Sequence, residues 1–237
     1  MSTFKERVES YVGDTSFDSS LTEWLTDSAR ALVNLVPQNR VNQYSLSRGA
    51  DGGVDVTDCR VLGATRSSVF AREIHHGEST KAADVNSLYI ARADDPVFYT
   101  KDGTLYVLPT GGSPETQVIP FPTVLFSDDE IDNFPDDFEH LVVLRAAIQA
   151  SIKLVTDYQE LVFSDVQPRI VQMLAYVETQ EDIELASSEA QHISTMLANF
   201  EKKIMLMRAK INDLNAEYNR CLQMYFGVSQ KPDKGQE

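Results

Sequence analysis

No stretch of this 237-residue chain holds eighteen apolar residues in a row, which excludes a hydrophobic membrane-spanning helix. The N-terminus, Met1-Ser2-Thr3-Phe4-Lys5-Glu6-Arg7, is charged where an export signal would be apolar, so secretion by that route is not expected. Cysteine is scarce. Cys59 and Cys221 lie in different segments, and both are expected to be reduced thiols of an intracellular protein, with Cys221 serving as a small hydrophobe. Positive charge is short as well: 21 Lys and Arg face 36 Asp and Glu, and the net charge of −15 argues against a dedicated nucleic-acid binder, which needs a basic face.

Catalytic signatures are also missing. The chain has no phosphate-binding loop, dinucleotide fingerprint, His-Glu-x-x-His helix or nucleophile elbow. Of the four histidines only His75-His76 are adjacent, and neighbouring side chains on an extended strand point apart. That pair reads as a surface loop. Asp128, Asp129, Glu130, Asp132, Asp136, Asp137 and Glu139 bring seven negatives into one short run, but without the glycine and spaced terminal glutamate of a calcium loop. This run reads as a charged loop and helix start, or alternatively as a wall that repels a polyanion. Gly63-Ala64-Thr65-Arg66-Ser67-Ser68 offers only a lone glycine for anion contact. The chain is expected not to be an enzyme and to carry no metal or cofactor.

What is present is a stripe. Ala186, Ala190, Ile193, Leu197, Phe200, Ile204, Met207, Ile211, Leu214, Tyr218, Cys221 and Tyr225 recur at alternating steps of four and three, and no proline or glycine intervenes before Gly227. A helix of about 40 residues at about 1.5 Å each is roughly 60 Å long, several times an ordinary globular helix. Such a rod builds assemblies. Its seam either packs against neighbouring helices of the same chain or meets another subunit. Phe200, Ile204, Met207, Ile211, Leu214 and Tyr218 are the candidate contacts, with Trp24 as a buried anchor between helices.

Three regions and a tail are expected. In 1–39, Phe4, Val8, Tyr11 and Val12 have helical spacing, and a Ser20/Glu23 capping box precedes a second helix that stops at Pro37. The period changes in 40–126, which holds eight of the eleven glycines. Alternation runs through 53–56 and 69–74, and Asp102-Gly103 supplies a tight primed turn between Val97-Phe98-Tyr99 and Leu105-Tyr106-Val107. The proline-bearing run 117–126 suggests an edge strand or extended arm. In 127–227 a helix opens at Pro135 and ends near Phe163, Ser164-Asp165 and Pro168 open a shorter one, and the heptad helix follows. A flexible polar tail, 228–237, closes the chain. The expected fold class is α+β: an elongated helical bundle with a long C-terminal heptad helix and an inserted small antiparallel β domain.

The segment Phe134-Pro135-Asp136-Asp137-Phe138-Glu139-His140-Leu141-Val142-Val143-Leu144-Arg145-Ala146-Ala147-Ile148 resembles a helix start common in head-to-tail connector (adaptor or neck) proteins of tailed bacteriophages. The preceding hairpin and the Ile119-Pro120-Phe121-Pro122 arm look like parts of such virion proteins. The resemblance covers about 95–162, and the heptad helix is longer than in the smallest adaptors of that group. It implies a structural virion protein, assembled in the host cytoplasm, that forms a homo-oligomeric ring of twelve between the portal protein and tail or nozzle proteins. DNA would pass nearby without specific binding, and no membrane is involved. Two rivals remain: a tail or fibre-attachment protein with a trimeric coiled coil, and a non-viral cytoplasmic helical binding module.

Overall fold

The computed structural model describes residues 2–13, 16–37, 40, 43–84, 86–178 and 182–227. The tail expected over 228–237 lies outside them. The chain forms two compact units: Met1–Ser28, Leu125–Asp129 and His140–Glu237 make the first, and Ala29–Val124 with Glu130–Glu139 the second.

Helix α1, Phe4–Val12, starts at a reciprocal capping box in which the Thr3 hydroxyl accepts from the Glu6 N–H and the Glu6 carboxylate accepts from the Thr3 N–H. It buries Phe4 and Val8 and ends at Gly13. Its first turn is tied to the start of the acidic run and the residues just before it, because the N–H groups of Phe4 and Lys5 donate to the carbonyls of Asp128 (2.8 Å) and Phe126 (3.0 Å). These bonds satisfy two of the donors that every helix start leaves unpaired. Helix α2, Asp18–Val33, begins two residues before the expected Ser20 cap. There the Lys5 ammonium holds the Asp18 carboxylate at 2.6 Å, and Phe17 packs edge-on against Trp24.

The second unit carries seven strands: β1 Leu46–Gly49, β2 Val54–Asp55, β3 Cys59–Arg66, β4 Val69–Glu73, β5 Val97–Lys101, β6 Thr104–Leu108 and β7 Pro114–Pro120. A five-residue helix, α3 (Ser79–Ala83), lies between β4 and β5. The strands form one sheet in the order β1-β7-β3-β4-β5-β6-β2, antiparallel except for the β4–β5 pair. The sheet is nearly closed and barrel-like. Its two end strands are consecutive in sequence, and Arg48 joins them: its guanidinium on β1 donates to the Asp55 carbonyl on β2 (3.2 Å) and to both Asp58 carboxylate oxygens (3.0 and 3.2 Å). That fork holds the Asp58 carboxyl below the usual carboxylate range. Inside, Val56, Cys59, Ala64, Phe98, Leu105, Val107 and Val118 form the core, and burial pushes the Cys59 thiol up.

This sheet overturns the expected fold class. An elongated bundle with a small antiparallel insert does not describe a seven-stranded sheet with a parallel pair. The shortfall arose where strands are short: β1 and β2, of four and two residues, are too brief to show alternation. β7 is also misplaced by the edge-strand rule, because it lies between β1 and β3. Its prolines, Pro114 and Pro120, stand at its first and last residues, so every ladder donor from Glu115 to Ile119 is kept. The Asp102-Gly103 turn forms, with φ +50° and +77°, and a Cβ on Gly103 would collide with the Thr57 methyl group.

Two helices dominate the first unit: α4, Asp136–Glu178 (43 residues), and α5, Ile183–Phe226 (44 residues). α4 begins directly after Pro135 with Asp136, Asp137 and Glu139 in its first turn. It then runs through the break expected near Phe163, with Pro168 inside it. Proline removes the N–H that the Ser164 carbonyl would accept, and Ser164 is exposed, so water can solvate that carbonyl. Val166, buried two residues earlier, and the Arg169–Glu189 pair at 2.9 Å hold the helix on both sides of the gap. α5 starts at Asp182, whose carboxylate accepts from the Leu185 N–H (3.0 Å), and closes at left-handed Gly227.

Candidate assembly surface on the helical hairpin

α4 and α5 form a hairpin, and its rungs are explicit. His140 Nε2 stands 3.9 Å from a Glu217 oxygen, Tyr158 meets Phe200 edge-on at 5.6 Å, and Arg169 meets Glu189. The heptad stripe faces into this hairpin to differing degrees. Leu214, Tyr218 and Cys221 are buried, as are Ala186 and Ile193, whereas Phe200, Ile204, Met207 and Ile211 are half-buried and Ala190 and Leu197 are exposed. All six stripe candidates therefore lie on one face of one helix. Trp24 stands apart on α2, half-buried, with its ring against Phe17 and its carbonyl accepting from the Ser28 hydroxyl.

Residues 138–151 of α4 are buried nearly all round. Phe138, Leu141, Val142, Leu144, Ala146 and Ala147 lose all exposure, as expected of a helix enclosed on every side. Beyond Ile152 the same helix surfaces. Phe163 is 69 % exposed, and Ile170, Leu174 and Val177 follow it at steps of seven, four and three, so all four share one line along α4. The first residue of α5, Ile183, is 77 % exposed. Ile170 and Met173 of α4 meet Ala190, Ile193, Ser194, Leu197, Ala198 and Glu201 of α5 around an open groove of about 590 Å³. Large apolar side chains aligned in water on one face mark an interaction surface.

None of the groove residues was among the named sequence contacts, although Ala190, Ile193 and Leu197 belong to the stripe; the α4 half was not read at all. Its signal was present in the 163-170-174-177 spacing, and reading Pro168 as a helix start concealed it.

The acidic run has local tasks. Asp128 accepts from the Leu125 N–H, Glu139 from the Ile131 N–H, both at 2.9 Å, and Asp137 lies 3.5 Å from Arg40. Ser67 donates to the Gly112 carbonyl and Arg66 to that of Pro109, so the 63–68 turn spends its polar groups internally. His75 Nδ1 accepts from the Gly77 N–H. Among the described residues, no three His, Cys, Asp or Glu side chains gather as a metal site, and no helix is long and apolar enough to cross a membrane. Tyr11 tilts against His140, and burial together with Glu217 pushes its phenol up.

Comparison of the chain with protein-family models and with curated proteins gives no match.

Proposed function

We propose that this chain is a non-enzymatic structural protein of a tailed phage particle: a head-to-tail adaptor that forms a ring of twelve between the portal and the tail and extends the DNA channel. The observation that carries the reading is the distal half of the α4–α5 hairpin, where Phe163, Ile170, Leu174 and Val177 line up and are exposed among the described residues. A second support is the buried Phe134–Phe138 pair at the entry to α4, in the segment that resembles adaptor proteins. The net charge of −15 suits a channel wall that repels passing DNA phosphates.

The trimeric-fibre reading is weaker, because Leu214, Tyr218 and Cys221 of the stripe it would use are already buried. Native mass spectrometry of the chain mixed with a twelve-subunit phage portal ring tests the proposal. Twelve copies adding to the ring support it. A stable trimer that ignores the ring, or no association with the ring, contradicts it.

A further inference from the structure

We propose that a pocket on the outer face of the β4–β5 pair binds the α-carboxylate of an apolar amino-acid residue, either the last residue of a polypeptide or a free amino acid. Side chains alternate along β5, so Phe98 belongs to the barrel core while Val97 faces the other way, into a second cluster with Ala82 and Ala91. β4 and β5 run parallel, and the chain crosses between them through the His76–Glu78 turn and α3. The N–H groups of Arg72 and Ile74 donate to the carbonyls of Pro96 and Phe98, both at 2.9 Å, which fixes the strand side of the pocket. The Ala91 N–H donates to the Ala82 carbonyl (2.8 Å), which ties the segment carrying Tyr89 to α3. These walls bound about 280 Å³. At about 30 Å³ each, that is room for roughly nine waters, the size of a single amino-acid residue.

The lining divides by chemistry. Ile74 with the buried Ala82 and Val97 makes an apolar floor, and Tyr89, 73 % exposed, adds a ring at the edge. Arg72, Lys81 and Glu78 supply two cations and one acid. Neither Lys81 nor Glu78 forms an ion pair with another described residue. The Arg72 guanidinium has the Asp95 carboxylate at 3.7 Å, beyond hydrogen-bond length, so its fork of donors is unspent among the described residues. An α-carboxylate suits the Arg72 fork and the Lys81 ammonium, the N–H beside it donates to Glu78, and an apolar side chain covers the floor. A bare phosphate would leave the floor uncovered and meet the charge of Glu78, and a cation would meet Arg72 and Lys81.

Titration of the full chain with N-acetyl-leucine, followed by amide chemical shifts, tests the proposal. Saturable shifts are expected at residues 72–82 and 89–97. N-acetyl-leucinamide, which lacks the carboxylate, should bind about tenfold more weakly, and Arg72→Gln and Lys81→Gln should each weaken N-acetyl-leucine by about tenfold. Arg92→Gln, outside the lining, should leave binding unchanged. No saturable binding at millimolar concentration, equal binding of the amide, or unchanged binding in the folded Arg72→Gln and Lys81→Gln proteins overturns it. A leucine-ended peptide binding more tightly than free leucine assigns the pocket to a chain end, and the reverse order assigns it to the free amino acid. The pocket lies in the second unit and the adaptor surface in the first, so failure of either reading leaves the other standing.

Discussion

The two halves of the α4–α5 hairpin use the same kinds of residue for different ends. Around 138–151 and 214–222 the large apolar side chains, among them Phe138, Leu141, Leu144, Leu214 and Leu222, are buried. Around 163–177 and 183–206 residues of similar hydrophobicity, among them Phe163, Leu174, Val177, Ile183 and Leu206, stay exposed among the described residues. At about 25 cal/mol per Å², enclosed side chains contribute to folding, whereas the distal ones contribute only when something covers them. Hydropathy alone does not separate a folding surface from an assembly surface; what stands opposite does.

This contrast breaks or holds on substitution. The largest expected effect is on the enclosed half: Leu144→Ala should cost about 3 kcal/mol of stability in denaturant unfolding, because a fully buried leucine leaves a cavity. The paired substitution Leu174→Ala, on the open half, should cost less than about 0.5 kcal/mol at high dilution. Equal losses would erase the distinction.

Pro168→Ala should stabilise α4 by about 2 kcal/mol, restoring a backbone hydrogen bond and removing the ring from the Ser164 carbonyl. Thermal unfolding checks it, and an unchanged or lower Tm would mean that proline at 168 does not weaken α4. In the second unit, Arg48→Met should cost about 1 kcal/mol by releasing the fork between β1 and β2. Hydrogen exchange should then quicken at both strands.

The smallest effect concerns pH. The folded Tyr11 phenol titrates above its unfolded value, so its contribution is complete below about pH 10 and is lost as pH rises through the folded pKa. Tyr11→Phe should flatten that alkaline loss in a pH series of unfolding curves.

Legibility followed element length. The heptad helix was plain because twelve positions kept phase, and Asp102-Gly103 marked its turn because only positive φ suits it. The pairing of Leu46–Gly49 with Glu115–Val118 was hidden, since long-range register leaves no local trace. So was the parallel β4–β5 contact, only two residue pairs long. At the candidate surface, the stripe was read through Ala190, Ile193 and Leu197, but the six named contacts from Phe200 to Tyr218 lie further along α5, outside the groove, and the residues on α4 were lost to Pro168. Propensity predicts a break there, yet tertiary packing of Val166 and Arg169 overrides it.

Amide hydrogen exchange across the hairpin, measured at low and at high protein concentration, addresses the central claim most directly. Exchange should be slow in 138–151 at both concentrations, and protection of 163–178 and 182–198 should grow with concentration as the open face is covered. Protection of 163–178 and 182–198 equal to that of 138–151 and independent of concentration would contradict it.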